Sequence, residues 1–404
     1  MGIDVKRSYS QEQIMKPDRR RFLTAAAAGV ALSKTIASAQ GRGQGAPAGG
    51  GGGRGQQPAT PPPDPALVAR AHGTWCLFSR HLQYVSTEAE TVADPMGVGV
   101  KIGEAAKAIG LGAVNLTVRD TGHVSQANAT THLPPMLKGI RSTGIICEKI
   151  TTTIVPPVDS QNTDWLKTQN VVDILTVASA NGIKKYRIGG GLAYPASGFG
   201  KAMTDYLDGL RVNMQRLYDL NRQYNLQAVY HTQGGLGQPL WDLMYVWKDM
   251  DPKYIGFNYA VGHIVENNSI TSASSMWAMN LRWIMPYFGD MAMQDSVWVT
   301  RPDGTMGVST PLTGKGNTNW AVFFRLLREG GYNGFFDAHQ EYPITLTDGT
   351  STTMMATWFA DHDLFKSGRL TPPMMVAAMK NDFDFYKAKA AEAGWTKEQL
   401  TPAS

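Results

Sequence analysis

The chain reads as an α/β protein built on one (β/α)₈ barrel, and three observations carry that reading. Eight short runs rich in β-branched and aromatic residues alternate with helical patterns. Five of the eight histidines, His81, His123, His231, His263 and His339, fall at or just past the ends of those runs. No break in composition interrupts the chain after residue 66, so one large domain is expected over residues 67–404. In a parallel barrel the strand C-termini converge on one face, which holds the active site. A polar, histidine-rich pocket is therefore expected there. An open doubly wound sheet is the alternative architecture.

Residues 1–39 read as an export leader. Asp18-Arg19-Arg20-Arg21-Phe22-Leu23 carries a twin arginine, and Ala25 to Leu32 is apolar. Ala37-Ser38-Ala39 then supplies small residues for cleavage. This order is that of a Tat-type signal, so the Tat translocon is an expected partner and the periplasm the expected location. The apolar run is too short for a permanent span, so no stable membrane insertion is expected. Residues 40–66 form a linker in which Gly49 to Gly53 and Pro61-Pro62-Pro63 cannot build a core.

The net charge of +5 belongs to these ends. Leader and linker hold nine of the 38 basic and four of the 33 acidic residues, which leaves the domain balanced. A neutral domain has no electrostatic footprint for nucleic acid. Cys76 and Cys147 fall on expected strands and read as buried small hydrophobes.

The expected strands are Trp75–Ser79, Ala113–Val118, Ile145–Ile154, Lys185–Ile188, Leu226–Tyr230, Ile255–Tyr259, Ser296–Thr300 and Gly334–Ala338. Helices are expected over Ile102–Ile109, Leu133–Ser142, Trp165–Ala180, Ala202–Tyr224, Leu240–Lys248, Ser272–Tyr287 and Trp320–Glu329. Pro134-Pro135 suit a first helical turn, and Asn181-Gly182 and Gly330-Gly331 suit helix ends. Pro343 to Pro373 breaks the rhythm before a last helix from Met374 to Ala393.

Chemistry concentrates after the strands. Arg119-Asp120-Thr121-Gly122-His123 offers an arginine that can fork onto a sugar oxygen or an acid group; the plain reading is a turn held by an Arg–Asp pair. Tyr230-His231-Thr232-Gln233 suits ligation or proton transfer, or a histidine satisfied in the barrel mouth. Gly262-His263 follows the sixth strand, with Glu266 beyond. His339 and Glu341 would share one face of a strand, so both could meet the pocket. Gly189-Gly190-Gly191 is a weak phosphate-cradle signal. Trp241 and the Trp277 to Trp283 segment read as helix core, with sugar stacking the second reading.

In order, several segments resemble the sugar phosphate isomerase/epimerase family with its xylose isomerase-like TIM barrel, in the exported Tat-signal branch. They are Phe78-Ser79-Arg80-His81-Leu82-Gln83, Leu116-Thr117-Val118-Arg119 with Gly122-His123, Tyr186-Arg187, and Trp241-Asp242-Leu243 with Asp251-Pro252. Pro311-Leu312 with Gly314, Gly316 and Trp320, and His339-Gln340-Glu341-Tyr342, complete the set. The resemblance implies a divalent metal held by Glu, Asp, His and Glu from the last four strands. Here those positions fall near Tyr230 or His231, at Ala260, near Val299-Thr300, and at His339. The ligand set that remains is His231, His263, His339 and Glu341, for Mn, Mg or Zn; with alanine at one position, weak or absent metal is the other expectation.

The leading expectation is a sugar isomerase, epimerase or related lyase that abstracts a proton next to a carbonyl. Glu341 is the expected base, and His231 and His339 polarise the carbonyl directly or through a metal. Arg80, Arg119, His123, Arg187, Gln233, Trp241 and His263 are the expected substrate contacts. The alternatives are a non-catalytic sugar-binding barrel and a metal-dependent hydrolase or endonuclease. A small-molecule carbohydrate is the expected partner, and self-association into a homo-oligomer is open.

Overall fold

The computed structural model describes residues 62–189, 203–233, 240–265, 276–353 and 362–401. The leader and most of the linker, Gly190, Gly191 and Glu266 lie outside the described residues. The barrel unit comprises residues 62–299 and 307–404.

Eight strands form one parallel sheet. They are β1 (His72–Phe78), β2 (Ala113–Thr117), β3 (Ile146–Thr151), β4 (Lys185–Ile188) and β5 (Gln227–His231). Then come β6 (Ile255–Ala260) and β7 (Phe288–Ala292). Short strands β8 (Val297–Thr300) and β9 (Met306–Ser309) pair only with each other, and β10 (Asn333–Ala338) returns to the sheet. The strand order is β10-β1-β2-β3-β4-β5-β6-β7. A parallel bridge between Met293 and Ala338 closes it, with Met293 N donating to Asp337 O and His339 N to Met293 O. The expected (β/α)₈ barrel is the fold.

Both faces of the strands are covered, as in β6, where every residue is buried. The large apolar core lies between sheet and helices and includes Trp247, Trp277, Phe257 and Phe323. Inside the barrel, Cys76, Ala113 and Phe335 form a small apolar cluster, with Ile146 packed on them. Both cysteines are buried and unbridged.

Above that plug the interior turns ionic. Lys149 on β3 meets Asp290 on β7 and Asp337 on β10, the latter at 2.6 Å. These strands are not sheet neighbours, so the contacts cross the barrel. Asn115 Nδ2 on β2 donates to the same Asp337 oxygen at 2.7 Å, and Thr151 Oγ1 donates to Asn115 Oδ1 at 3.0 Å.

The structure corrects several expected elements. The seventh barrel strand is Phe288–Ala292, not Ser296–Thr300. Its Gly289 and Asp290 break the β-branched signature, because Asp290 is committed to the ionic interior. The helix expected to reach Tyr287 stops at Ile284, and Pro286 sits in a 3₁₀ turn before β7. Trp165–Ala180 is two helices, split where Asn170 takes φ +51°. The helix carrying Pro134-Pro135 starts at Ala129, so the prolines lie inside it. Gly182 and Gly331 end their helices with φ +72° and +70°, as expected of caps. Within 343–373, β11 (Pro343–Thr345) and β12 (Ser351–Thr353) form a hairpin.

Removing one member of a buried ion cluster strands the others. Lys149→Met is expected to lower unfolding free energy by ~3–5 kcal/mol at neutral pH. Burial already raises the Asp290 carboxyl, despite the neighbouring Lys149. An acid whose folded-state pKa is raised costs stability above that pKa, and the cost fades as pH falls through it. The deficit of Lys149→Met should therefore shrink on acidification, read as the denaturation midpoint relative to wild type across pH.

Candidate active site

β5 delivers His231 to the top of the barrel, fully buried. Its Nδ1 lies 2.6 Å from Asn258 Oδ1, and Asn258 Nδ2 donates to Met291 O at 3.1 Å. The carbonyl fixes the amide, so the amide oxygen faces His231 and Nδ1 must carry the proton. Nε2 is left as a bare acceptor, buried and without a hydrogen-bond partner. Burial, reinforced by Arg187 and His263, pushes the His231 pKa well below the usual range. The ring is neutral at physiological pH. A direct polarising role, which needs a donor at Nε2, is not available to this tautomer.

β10 ends at Ala338, so His339 and Glu341 leave the strand rather than share its face. They meet all the same, with His339 Nε2 3.2 Å from Glu341 Oε1. Gln294 joins them to His263. Its amide nitrogen donates to Glu341 Oε2 (3.2 Å) and His339 O (3.0 Å), and its oxygen accepts from His263 Nε2 (2.8 Å). Burial raises the Glu341 carboxyl, but His339, then His263 and His81, outweigh it and hold it down at about 2. Burial carries His263 down to about 4 against the pull of Glu341. His81, in the 3₁₀ turn after β1, accepts from Gln340 N at 3.1 Å through Nε2. Ring centroids lie 5.8 Å apart for His81–His339, 6.0 Å for His231–His339 and 5.6 Å for His231–His263. The four imidazoles thus form one continuous row.

That geometry does not assemble the expected metal set among the described residues. His263 Nε2 is engaged by Gln294 and His339 Nε2 faces Glu341, so the donors turn toward one another. Ala260, where an anionic ligand was expected, closes β6 as a buried apolar residue. Among the described residues no three His, Cys, Asp or Glu side chains converge on a point that could hold a metal ion. His231, His263, His339 and Glu341 do not fit a Mn, Mg or Zn centre.

Arginines flank the row. Arg187 pairs in register with Thr151 and Val229, and is 9% exposed. Lys185, two residues earlier, reaches Gly289 O across the barrel at 2.7 Å, so Arg187 shares its inward face. Burial and then Arg119 push Arg187 down to about 9, opposed by Asp337 and Glu341. Arg80 is pushed to about 8 by burial, then Arg119, with Glu341 opposing. Burial lowers Arg119 as well. Three guanidiniums therefore share one field with the Glu341 carboxylate, and Arg187 with Asp337 as well.

The other expected contacts sit differently. His123 is buried, its Nδ1 3.2 Å from Ser79 Oγ and 3.1 Å from Thr117 Oγ1, which makes it part of the wall. Trp241 is 43% exposed and set edge-on to Trp283 at 5.1 Å, outside the histidine row. Gln233 is half-buried just beyond β5. Two residues that matter were not foreseen. Asn258 lies two residues before Ala260 on the inward face of β6, a period-two signal available in the sequence. Gln294 lies two residues beyond the end of β7, a strand whose sequence lacks the β-branched pattern.

The tautomer gives a direct prediction. His231 should remain neutral and Nδ1-protonated from about pH 5 to about pH 8, where an ordinary histidine titrates. Nitrogen-15 chemical shifts of the ring would read this; an imidazolium at the acid end would contradict the assignment.

The sequence matches no known family profile and no curated protein. The fold is similar to solved structures. An L-ribulose 3-epimerase superposes with TM-score 0.52 at 12% identity, over 80% of this chain and 96% of that one. The D-allulose 3-epimerase of Methylomonas sp. gives 0.51 at 13%, over 79% and 98%. The D-psicose 3-epimerase of Clostridium cellulolyticum H10, solved with D-tagatose, gives 0.51 at 12%, over 78% and 99%. A xylose isomerase domain protein from Planctomyces limnophilus gives 0.50 at 15%, over 72% and 93%. At such identities the likeness speaks for architecture, and that architecture is the xylose isomerase-like TIM barrel.

Proposed function

We propose that the barrel mouth binds a keto-sugar and moves the proton next to its carbonyl, as a sugar isomerase or epimerase. One observation carries the reading: an ionised carboxylate, a bare imidazole acceptor and an inward guanidinium lie within one another's electrostatic field at the strand ends. Glu341 removes the proton. The electron pair moves into the new carbon–carbon double bond, and the oxygen that becomes negative lies toward Arg187. His339 and Gln294 hold the carboxylate in place. A bound sugar that strips water from Glu341 raises its basicity. His231 Nε2 can only accept, so it takes a hydrogen bond from a substrate hydroxyl. No step is routed through a metal, since the donors do not converge. The epimerases of like fold support the substrate class, because their names state sugars. We also propose export by the Tat route, on the strength of Arg19-Arg20 and the stretch that follows.

Glu341→Gln should leave the fold intact and cut turnover ~10²–10⁴-fold. Wild type in D₂O should place deuterium on the carbon beside the carbonyl, read by proton NMR over a panel of keto-sugars. Sugar binding with no exchange, and no change on Glu341→Gln, would favour the non-catalytic sugar-binding barrel instead.

Arg19→Lys with Arg20→Lys should trap precursor in the cytoplasm. Fractionation of expressing cells measures it, and an unchanged periplasmic yield would refute the export reading.

A further inference from the structure

Arg187 raises a problem that the reaction alone does not answer. It is 9% exposed, its Nε is buried without a hydrogen-bond partner, and no ion pair to it occurs among the described residues. A guanidinium keeps its charge, and a buried charge needs a counter-ion. The carboxylates within its field serve other groups, although Asp337 Oδ1 is buried without a hydrogen bond. Asp337 Oδ2 takes Lys149 and Asn115, Asp290 takes Lys149, and Glu341 is held by His339 and Gln294. Arg80 and Arg119 add to the positive field around Arg187 rather than cancel it. Beside it, His231 Nε2 is a buried acceptor that needs a donor. The complement of these groups is an anion that also carries hydroxyls and a carbonyl.

We propose that the ligand is a 2-oxo sugar acid, with its C1 carboxylate and adjacent C2 oxygen both on Arg187 and a hydroxyl donated to His231 Nε2. The edge of a guanidinium formed by Nε–H and one Nη–H presents two parallel donors, which match one carboxylate oxygen and the C2 oxygen lying side by side in a 2-oxo acid. One buried arginine then serves both the resting anion and the oxygen that becomes negative. This rests on the keto-sugar reading above and narrows it. The step balances without an oxidant. The C3–H bond breaks, its proton goes to Glu341, and the electron pair forms the C2=C3 bond. The C2 oxygen takes the charge, and reprotonation at C3 restores the carbonyl.

The test is calorimetric binding to full-length mature protein. Each D-2-ketohexose is compared with its 2-oxo-hexonate, as in D-fructose against 2-oxo-D-gluconate, which differ only at C1. Fructose 1-phosphate is a third arm. At least one acid should bind ~10- to 100-fold tighter than its neutral partner, the worth of a charged hydrogen-bonded pair. Arg187→Gln should erase the preference, and Arg187→Lys should restore part of it. Equal binding of acid and neutral sugar, a preference for the 1-phosphate, no binding by any of them, or a preference that survives Arg187→Gln would each overturn the proposal. Deuterium exchange separates this from the broader reading. Exchange into neutral ketoses without acid preference sinks only the acid proposal, whereas acid preference without exchange sinks only the enolisation.

Discussion

Everything at the barrel mouth stands on one ammonium group inside it. Lys149 holds Asp290 and Asp337 together from strands that never pair with its own. Such a cluster gains little net stability over a well-packed apolar core, because three charges must be desolvated. What it supplies is position. Asp337 lies two residues below His339 on β10, and Asp290 pairs in register with Asn258, the residue that orients His231. A shift at the ionic layer would be felt directly by the imidazoles above it.

Those imidazoles keep their protonation states through hydrogen bonds whose direction the backbone dictates. Met291 O fixes Asn258, which fixes His231. Gln340 N can only donate, so His81 Nε2 must accept. Gln294 reads His263 on one side and Glu341 on the other. Burial first, and then cationic neighbours such as Arg80 and Arg187, makes neutrality the favoured state for His81 and His231. A row of histidines is usually read as metal ligands or switches near neutral pH. Here burial and neighbours have removed His81 and His231 from that range.

The barrel was legible because seven of its eight strands carry β-branched and aromatic residues and are separated by helical periods. β7 was hidden by the same ionic layer that the site rests on: Phe288-Gly289-Asp290 lacks the pattern because Asp290 answers Lys149. That miss concealed Gln294. The placement of His231, His263, His339 and Glu341 near one another followed from strand ends alone. Their mutual orientation did not, because an amide that bridges a histidine and a carboxylate leaves no spacing in the sequence. The tautomer of His231 depends on a carbonyl of another strand, Met291, and is equally invisible there.

Charge balance at the mouth links these points. Alanine at 260 removes one anion, and a neutral amide at 294 occupies the space between His263 and Glu341. Neither residue carries a charge that could offset the arginines. Glu341 is held as an anion by its neighbours, and no ion pair joins any carboxylate to Arg187 among the described residues. In the proposed reading, Arg187 holds its charge for a ligand of the opposite sign. The mouth also presents a basic carboxylate and an unprotonated imidazole to the rest of that molecule. In that same reading, this imbalance is what favours an anion with an acidic C–H bond.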